Sequence, residues 1–117
     1  HFKNHDPNGL LDMKTFQENL AGMPGIDDLA QLQLLDAGGS LVATIENKAG
    51  SQGSLRVYRH LAEQFGAITP QAAQAGLELY AEHTADARAN PGKHPNIDRL
   101  FGIVDASQTL TVRSVAA

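Results

Sequence analysis

A small α+β domain, with antiparallel β-hairpins packed against a helical hairpin, is the fold class predicted by three features of this 117-residue chain. Leu32 and Leu34 alternate with polar residues, a DAGG turn follows, and Leu41, Ala43 and Ile45 alternate again, which marks a hairpin over about residues 31–46. Helical spacing of Leu55, Tyr58, Leu61, Ala62 and Phe65 is followed by a break at Gly66 and a new start at Thr69-Pro70. This predicts paired helices over about residues 54–65 and 70–90. LFGIVDASQTLTVRSV then reads as two short strands over about residues 100–115, on either side of Asp105 to Gln108. Like elements follow one another rather than alternating, which favours an antiparallel sheet with its helices on one face.

Each element has its own local reason. Residues 1–12, HFKNHDPNGLLD, lack periodicity and contain Pro7 and Asn8-Gly9. They read as a leader or an added, non-native segment ahead of Met13, leaving 13–117 as one domain. Thr15 with Glu18 matches a capping box, and Phe16 and Leu20 lie one turn apart, so a short helix runs to about Gly22 before Pro24-Gly25 ends it. Leu32 to Ile45 supplies the first hairpin, and NKAGSQGS, residues 47–54, connects it to a helix that Ser51 or Ser54 would cap. Gly66 stands where a left-handed helix end belongs. Thr69 then serves as N-cap with Pro70 at the first helical position, and Ala73, Leu77, Tyr80 and Thr84 form one stripe as far as Pro91-Gly92. In PGKHPNID, residues 91–98, two prolines stiffen a turn, Lys93 and His94 project from it, and Asn96 would cap a helical turn starting at Ile97.

Composition bounds the function classes. Apolar residues are 42% and aromatic residues 5% with no Trp, so the core is expected to rest on Leu, Val, Ile and Ala with a few Phe and Tyr anchors. A formal charge of −4 and a pI near 5.6 leave no broad cationic surface for a phosphate backbone, which excludes nucleic acid as an expected partner. The absence of cysteine removes thiolate chemistry and disulfides and fits a reducing compartment. No apolar run approaches the roughly 18 to 20 residues that span a bilayer. A cytoplasmic protein without membrane contact is the expectation.

Chemistry-bearing residues gather in three places. Glu78, Glu82 and Asp86 stand four residues apart and would form a carboxylate ladder on one helix face, calling for a cation from Arg56, Arg59, Arg88, Lys93, Arg99 or a metal. The metal alternative recruits Glu82, His83, Asp86 and His94, a nitrogen and oxygen set suited to zinc, manganese or iron, with His60 arriving from the neighbouring helix. No HExxH or facial-triad spacing is present, however, and plain salt bridges explain the same residues. The connector 47–54 offers Gly50, Gly53, Ser51 and Ser54 at a helix start, with Lys48 and Arg56 nearby, as an anion-binding segment or a simple linker. The turn adds Lys93, His94 and Arg99 as recognition residues or as an ordinary connection.

The run ATIENKAGSQGSLRVYRHLAEQFGAITPQAAQAGLELYAEHTADARANPGKHPNIDRLF resembles a small bacterial family catalogued as a domain of unknown function, with similarity over about residues 13–104. The resemblance implies a compact single-domain bacterial protein and assigns no residue a role. The expected function is therefore a non-catalytic binding or interaction module. Its candidate ligand-binding residues are Lys48, Gly50, Ser51, Gly53, Ser54, Arg56, Lys93, His94 and Arg99, its ligand is a protein or a small anion, and homodimerisation is open to it. The alternative is a metal-assisted hydrolase or lyase built on Glu82, His83, Asp86 and His94. No cofactor is expected in the first reading, and a divalent metal in the second.

Overall fold

The computed structural model describes residues 14–117, so the leader expectation for 1–12 and the start at Met13 lie outside the described residues. From Lys14 onward the order is α1 (Phe16–Ala21), β1 (Leu29–Leu35), β2 (Leu41–Glu46), α2 (Gln52–Phe65), α3 (Pro70–Leu79), α4 (Glu82–Ala89), α5 (Pro95–Ala106) and β3 (Thr111–Ala116). The three strands form one antiparallel sheet in the order β2-β1-β3, and the fold is α+β.

The first hairpin forms for local reasons. Asp36 Oδ1 accepts the amides of Gly38 and Ser40, both at 2.9 Å, and Gly39 takes the positive φ of 85° that the tight turn requires. Leu32 then faces Ile45 and Leu34 faces Ala43, and the register shifts between Leu34 and Leu35, so that Leu35 pairs with Leu41 and Val42 is left over as a bulge. β3 closes the other side of β1, with Val112 opposite Leu34 and Ser114 opposite Leu32. The buried residues of β1 are Leu29, Leu32 and Leu34, and the last two keep the two-residue alternation of a strand with one covered face.

α2 is the central buttress. Leu55, Val57, Tyr58 and Leu61 are completely buried, and Gly66 ends the helix at φ 82° with its amide on Ala62 O. Thr69 caps α3 by accepting the amide of Ala72 at 3.0 Å, with Pro70 in the first turn. Gly76 lets α3 lie close to both α2 and α5: a Cβ there would stand 2.9 Å from Leu61 Cδ1 and 2.8 Å from Leu100 Cδ1. Ile97, Leu100 and Ile103 bring the buried face of α5 into the same core.

Two expectations are corrected. Residues 95–106 form a helix, so the strand expected from Leu100 to Val104 does not exist and only the second strand of that pair, β3, is present. LFGIV is a short apolar run that suits either state. Pro95 at the start and the buried spacing Ile97, Leu100, Ile103 make it helical, and Ser107 at φ 51° ends it. This helix has its N-cap at His94 without a side-chain cap, so Asn96 does not cap a turn starting at Ile97. The long helix expected over 70–90 is likewise two helices. Ala81, at φ 53° and ψ −119°, sits at the second position of a type II′ turn closed by His83 N to Tyr80 O at 3.0 Å.

Candidate functional site

The break at Ala81 dissolves the carboxylate ladder, because Glu78 belongs to α3 while Glu82 and Asp86 belong to α4. Of the cations expected to answer these acids, Lys93 is found on Asp86. Glu82 reaches α1, where its Oε1 accepts the amide of Phe16 at 2.9 Å, and that bond holds its carboxyl below the usual range. Asp86 turns to the segment after α4. Its Oδ2 takes His94 Nε2 at 2.6 Å and Lys93 Nζ at 2.9 Å, and its Oδ1 takes Asn90 Nδ2 at 3.0 Å. The His94 bond first, and then the Lys93 bond, hold the Asp86 carboxyl down to about 2.

Lys93 and His94, fixed in this way, face the start of α2 across a cleft of about 440 Å³. Gly50, Gly53 and Ser54 form one wall, His83, Lys93, His94 and Asn96 another, and Phe16, Leu20 and Tyr80 an apolar floor. The floor is built by packing. Phe16 stacks on Tyr80 with centroids 5.1 Å apart and a 16° angle, and the His83 ring meets Phe16 edge-on at the same separation. Gly53 matters here because a Cβ would lie 3.2 Å from the Phe16 ring, so glycine lets α1 close over the α2 start. The buried Tyr80 hydroxyl, whose pKa burial pushes up, donates to Ser54 Oγ at 2.7 Å. His83 and His94 lie with ring centroids 5.7 Å apart at the mouth.

The lining itself is basic, with Asp86 pairing to Lys93 and His94 from outside it. Among the described residues its titratable side chains apart from the tyrosine are His83, Lys93 and His94, and no carboxylate lines it. The amides of Gln52, Gly53 and Ser54 in the first turn of α2 make no backbone or side-chain hydrogen bond among the described residues, because Ser51 does not cap the helix. They add the partial positive charge of a helix start to the same wall. A larger groove of about 740 Å³ between α2, α3 and α4 holds Glu78, His60 and Arg88, but none of the residues of the connector or the proline turn.

Of the ligand-binding residues expected from sequence, Gly50, Gly53, Ser54, Lys93 and His94 come together here. The others do not line the cleft. Lys48 pairs with Glu46 at 3.3 Å. The Ser51 hydroxyl donates into its own loop, to Glu46 O and Lys48 O. Arg56 reaches Met23 O at 3.5 Å, and its Nε is buried without a partner among the described residues. Arg99 lies over the Tyr58 ring and donates to the Tyr58 hydroxyl and to Asn96 Oδ1. Arg59 pairs with Asp28 and Glu63 instead of the expected ladder. In the metal set, Asp86 and His94 touch, His83 stands beside His94, and Glu82 gives Oε1 to the Phe16 amide while its Oε2 lies 3.9 Å from His83 Nε2. Among the described residues no three His, Asp or Glu side chains gather as a metal-binding group. Phe16, Leu20, Tyr80 and Asn96 are additions to the expected site; the first three carry only an apolar or core signal in the sequence.

Residues 16–114 match the family model described as an uncharacterised protein conserved in bacteria (DUF2322). No curated protein and no solved structure matches the chain.

Proposed function

Since the chain belongs to this conserved bacterial family, whose description carries no reaction, we propose from the cleft that it is a non-catalytic binding module for a small anionic ligand. One observation carries the reading: two polar segments nearly forty residues apart in sequence converge on one cleft whose lining holds cationic and amide donors and no carboxylate among the described residues. In a chain of formal charge −4, a pocket of this character is local and selective rather than a reflection of composition. The charged end of the ligand would sit between the α2 amides and Lys93 with His94, and any apolar portion against Phe16 and Leu20.

The metal-assisted hydrolase or lyase reading requires Glu82, His83, Asp86 and His94 to act on one ion. Among the described residues no three of these side chains gather as a metal-binding group, and one Glu82 oxygen is used by the Phe16 amide, which favours the non-catalytic reading. We place the protein in the cytoplasm on its cysteine-free composition, and the net negative charge argues against nucleic acid as partner.

The test is thermal denaturation with inorganic phosphate, phosphate monoesters and small mono- and dicarboxylates, followed by calorimetry on any that stabilise. A true ligand at a hundred times its Kd adds about 2.7 kcal/mol to the unfolding free energy. That gain should keep rising with the logarithm of ligand concentration above Kd, and should fall in Lys93→Ala and in His94→Ala compared with each variant's own ligand-free stability. A panel that leaves the melting temperature unmoved at millimolar concentration, or that stabilises both variants as much as the parent, sinks the proposal.

A further inference from the structure

We propose that the cleft binds its oxyanion together with one proton, held between the ligand and His94, so that it favours an oxyanion carrying its own O–H, such as hydrogen phosphate, over a bare one. This rests on the anion-binding reading above and narrows its ligand class. Asp86 decides which nitrogen of His94 carries hydrogen. Its Oδ2 lies 2.6 Å from Nε2, and its carboxyl, held down to about 2, is ionised throughout the range in which histidine changes charge, about pH 5 to 8. An ionised carboxylate can only accept, so Nε2 is the N–H. His94 lines the cleft while Asp86 does not, and Nδ1, the remaining polar atom of the ring, has no hydrogen-bond partner among the described residues.

On a neutral ring Nδ1 presents a lone pair, and on a protonated ring an N–H. A bare oxyanion therefore meets a lone pair unless a proton arrives with it, and two acceptors facing each other leave both unsatisfied. An oxyanion with an O–H donates it to Nδ1 and needs no further proton. A site built to accept a hydroxyl rejects the analogue that lacks one, even where shape and charge match.

The groups around the ring are engaged elsewhere. From α4 come Asp86 and His83, whose ring centroid is 5.7 Å away and whose Nε2 lies 3.9 Å from Glu82 Oε2. Lys93, in the same turn as His94, puts Nζ 2.9 Å from Asp86 Oδ2. Among the described residues α1 and α2 add no titratable side chain to the lining, and the Tyr80 hydroxyl, whose pKa burial pushes up, donates to Ser54. On α5, Asp98 holds the Gly92 amide and Arg99 donates to Tyr58 and Asn96. None of these gives Nδ1 a hydrogen bond among the described residues. His83 is the one neighbour of the same chemistry, and replacing each histidine in turn separates the two rings.

Isothermal titration calorimetry of the full chain at about pH 8 tests this, with inorganic sulfate as a tetrahedral dianion without an O–H and hydrogen phosphate as one that has it. Repeated in buffers of different protonation heat, sulfate should take up about one proton per anion bound and hydrogen phosphate almost none. Hydrogen phosphate should bind at least about tenfold tighter, and sulfate that fails to bind while hydrogen phosphate does is that preference at its limit. In His94→Gln, whose amide can turn a donor or an acceptor to the ligand, uptake and preference should both vanish, while His83→Gln should keep both. Sulfate bound by the parent chain without proton uptake, or equal affinity for the two anions, overturns the proposal and leaves the anion-binding reading standing. Loss of the uptake in His83→Gln with its retention in His94→Gln assigns the proton to the other ring and overturns it too. Binding of neither anion overturns both.

Discussion

The helical path is broken between α2 and α3 and again between α3 and α4, and the two junctions are built by opposite means. At the first, every instruction is local. Gly66 takes the left-handed conformation, Thr69 caps the next helix through its own hydroxyl, and Pro70 fixes the first φ. At the second, Ala81 adopts φ 53° without glycine's freedom, and no side chain caps α4. The conformation is held from outside: the Thr84 hydroxyl donates to Leu77 O, Asn19 Nδ2 donates to Leu79 O at 2.8 Å, and Glu82 reaches the Phe16 amide. A strained residue persists only where its surroundings over-determine it. Here those surroundings are the tertiary contacts that also place His83 beside the cleft.

Removing the tether at the second junction should have the largest effect. Thr84→Val keeps the shape but leaves the buried Leu77 carbonyl without its donor, and should cost about 2 kcal/mol in urea denaturation. A loss under about 0.5 kcal/mol would mean that the junction does not depend on this bond.

Next come two exchanges at the junction residues, whose effects should have opposite signs. Gly66→Ala forces a Cβ into a left-handed site with open space around it, so the cost is backbone strain alone, about 1 kcal/mol. Ala81→Gly relieves strain and should stabilise by about 1 kcal/mol after the entropy of the added glycine is subtracted. If both changes destabilise, Ala81 is not strained and the contrast between the junctions collapses.

The smallest effect is expected from pH. The folded-state pKa of Asp86, about 2, lies below the ordinary value of 3.8. Its contribution is therefore complete above pH 4 and is lost as pH falls from about 4 to 2, when the proton displaces His94 and Lys93. Asp86→Asn should flatten that part of the melting-temperature profile relative to the parent protein. An unchanged slope would show that the ion pairs carry no stability, as is common for exposed partners.

The same contrast explains what can be read from the sequence. The capping box at Thr15, the β1–β2 hairpin, the end of α2 and the start of α3 depend on residues close together in the chain, and each is found where the sequence places it. The break at Ala81 leaves no mark because Ala is a strong helix former and the forces that bend it come from α1 and α3. α5 reads as a strand when the apolar run LFGIV is weighed without Ile97, the residue that completes a helical stripe. In the cleft, Gly50, Gly53, Ser54, Lys93 and His94 are visible as small or polar residues in connecting segments. Phe16 and Tyr80 are not, since a stacked aromatic pair in a pocket floor and one in a core have the same sequence signal.

Glu82 ties the first turn of α1 to a helix 66 residues further along. α1 has only six residues, well below the roughly 12 to 15 at which an isolated helix becomes even marginal in water. It is therefore a dependent element, able to detach and reseat while α2 and the sheet stay folded. Its amides should exchange with deuterium faster than those of the middle of α2. Because Phe16 and Leu20 floor the cleft, whatever settles there would have to slow that exchange, and the rate at which α1 lifts would set an upper limit on how fast the occupant can leave if its exit runs beneath that helix.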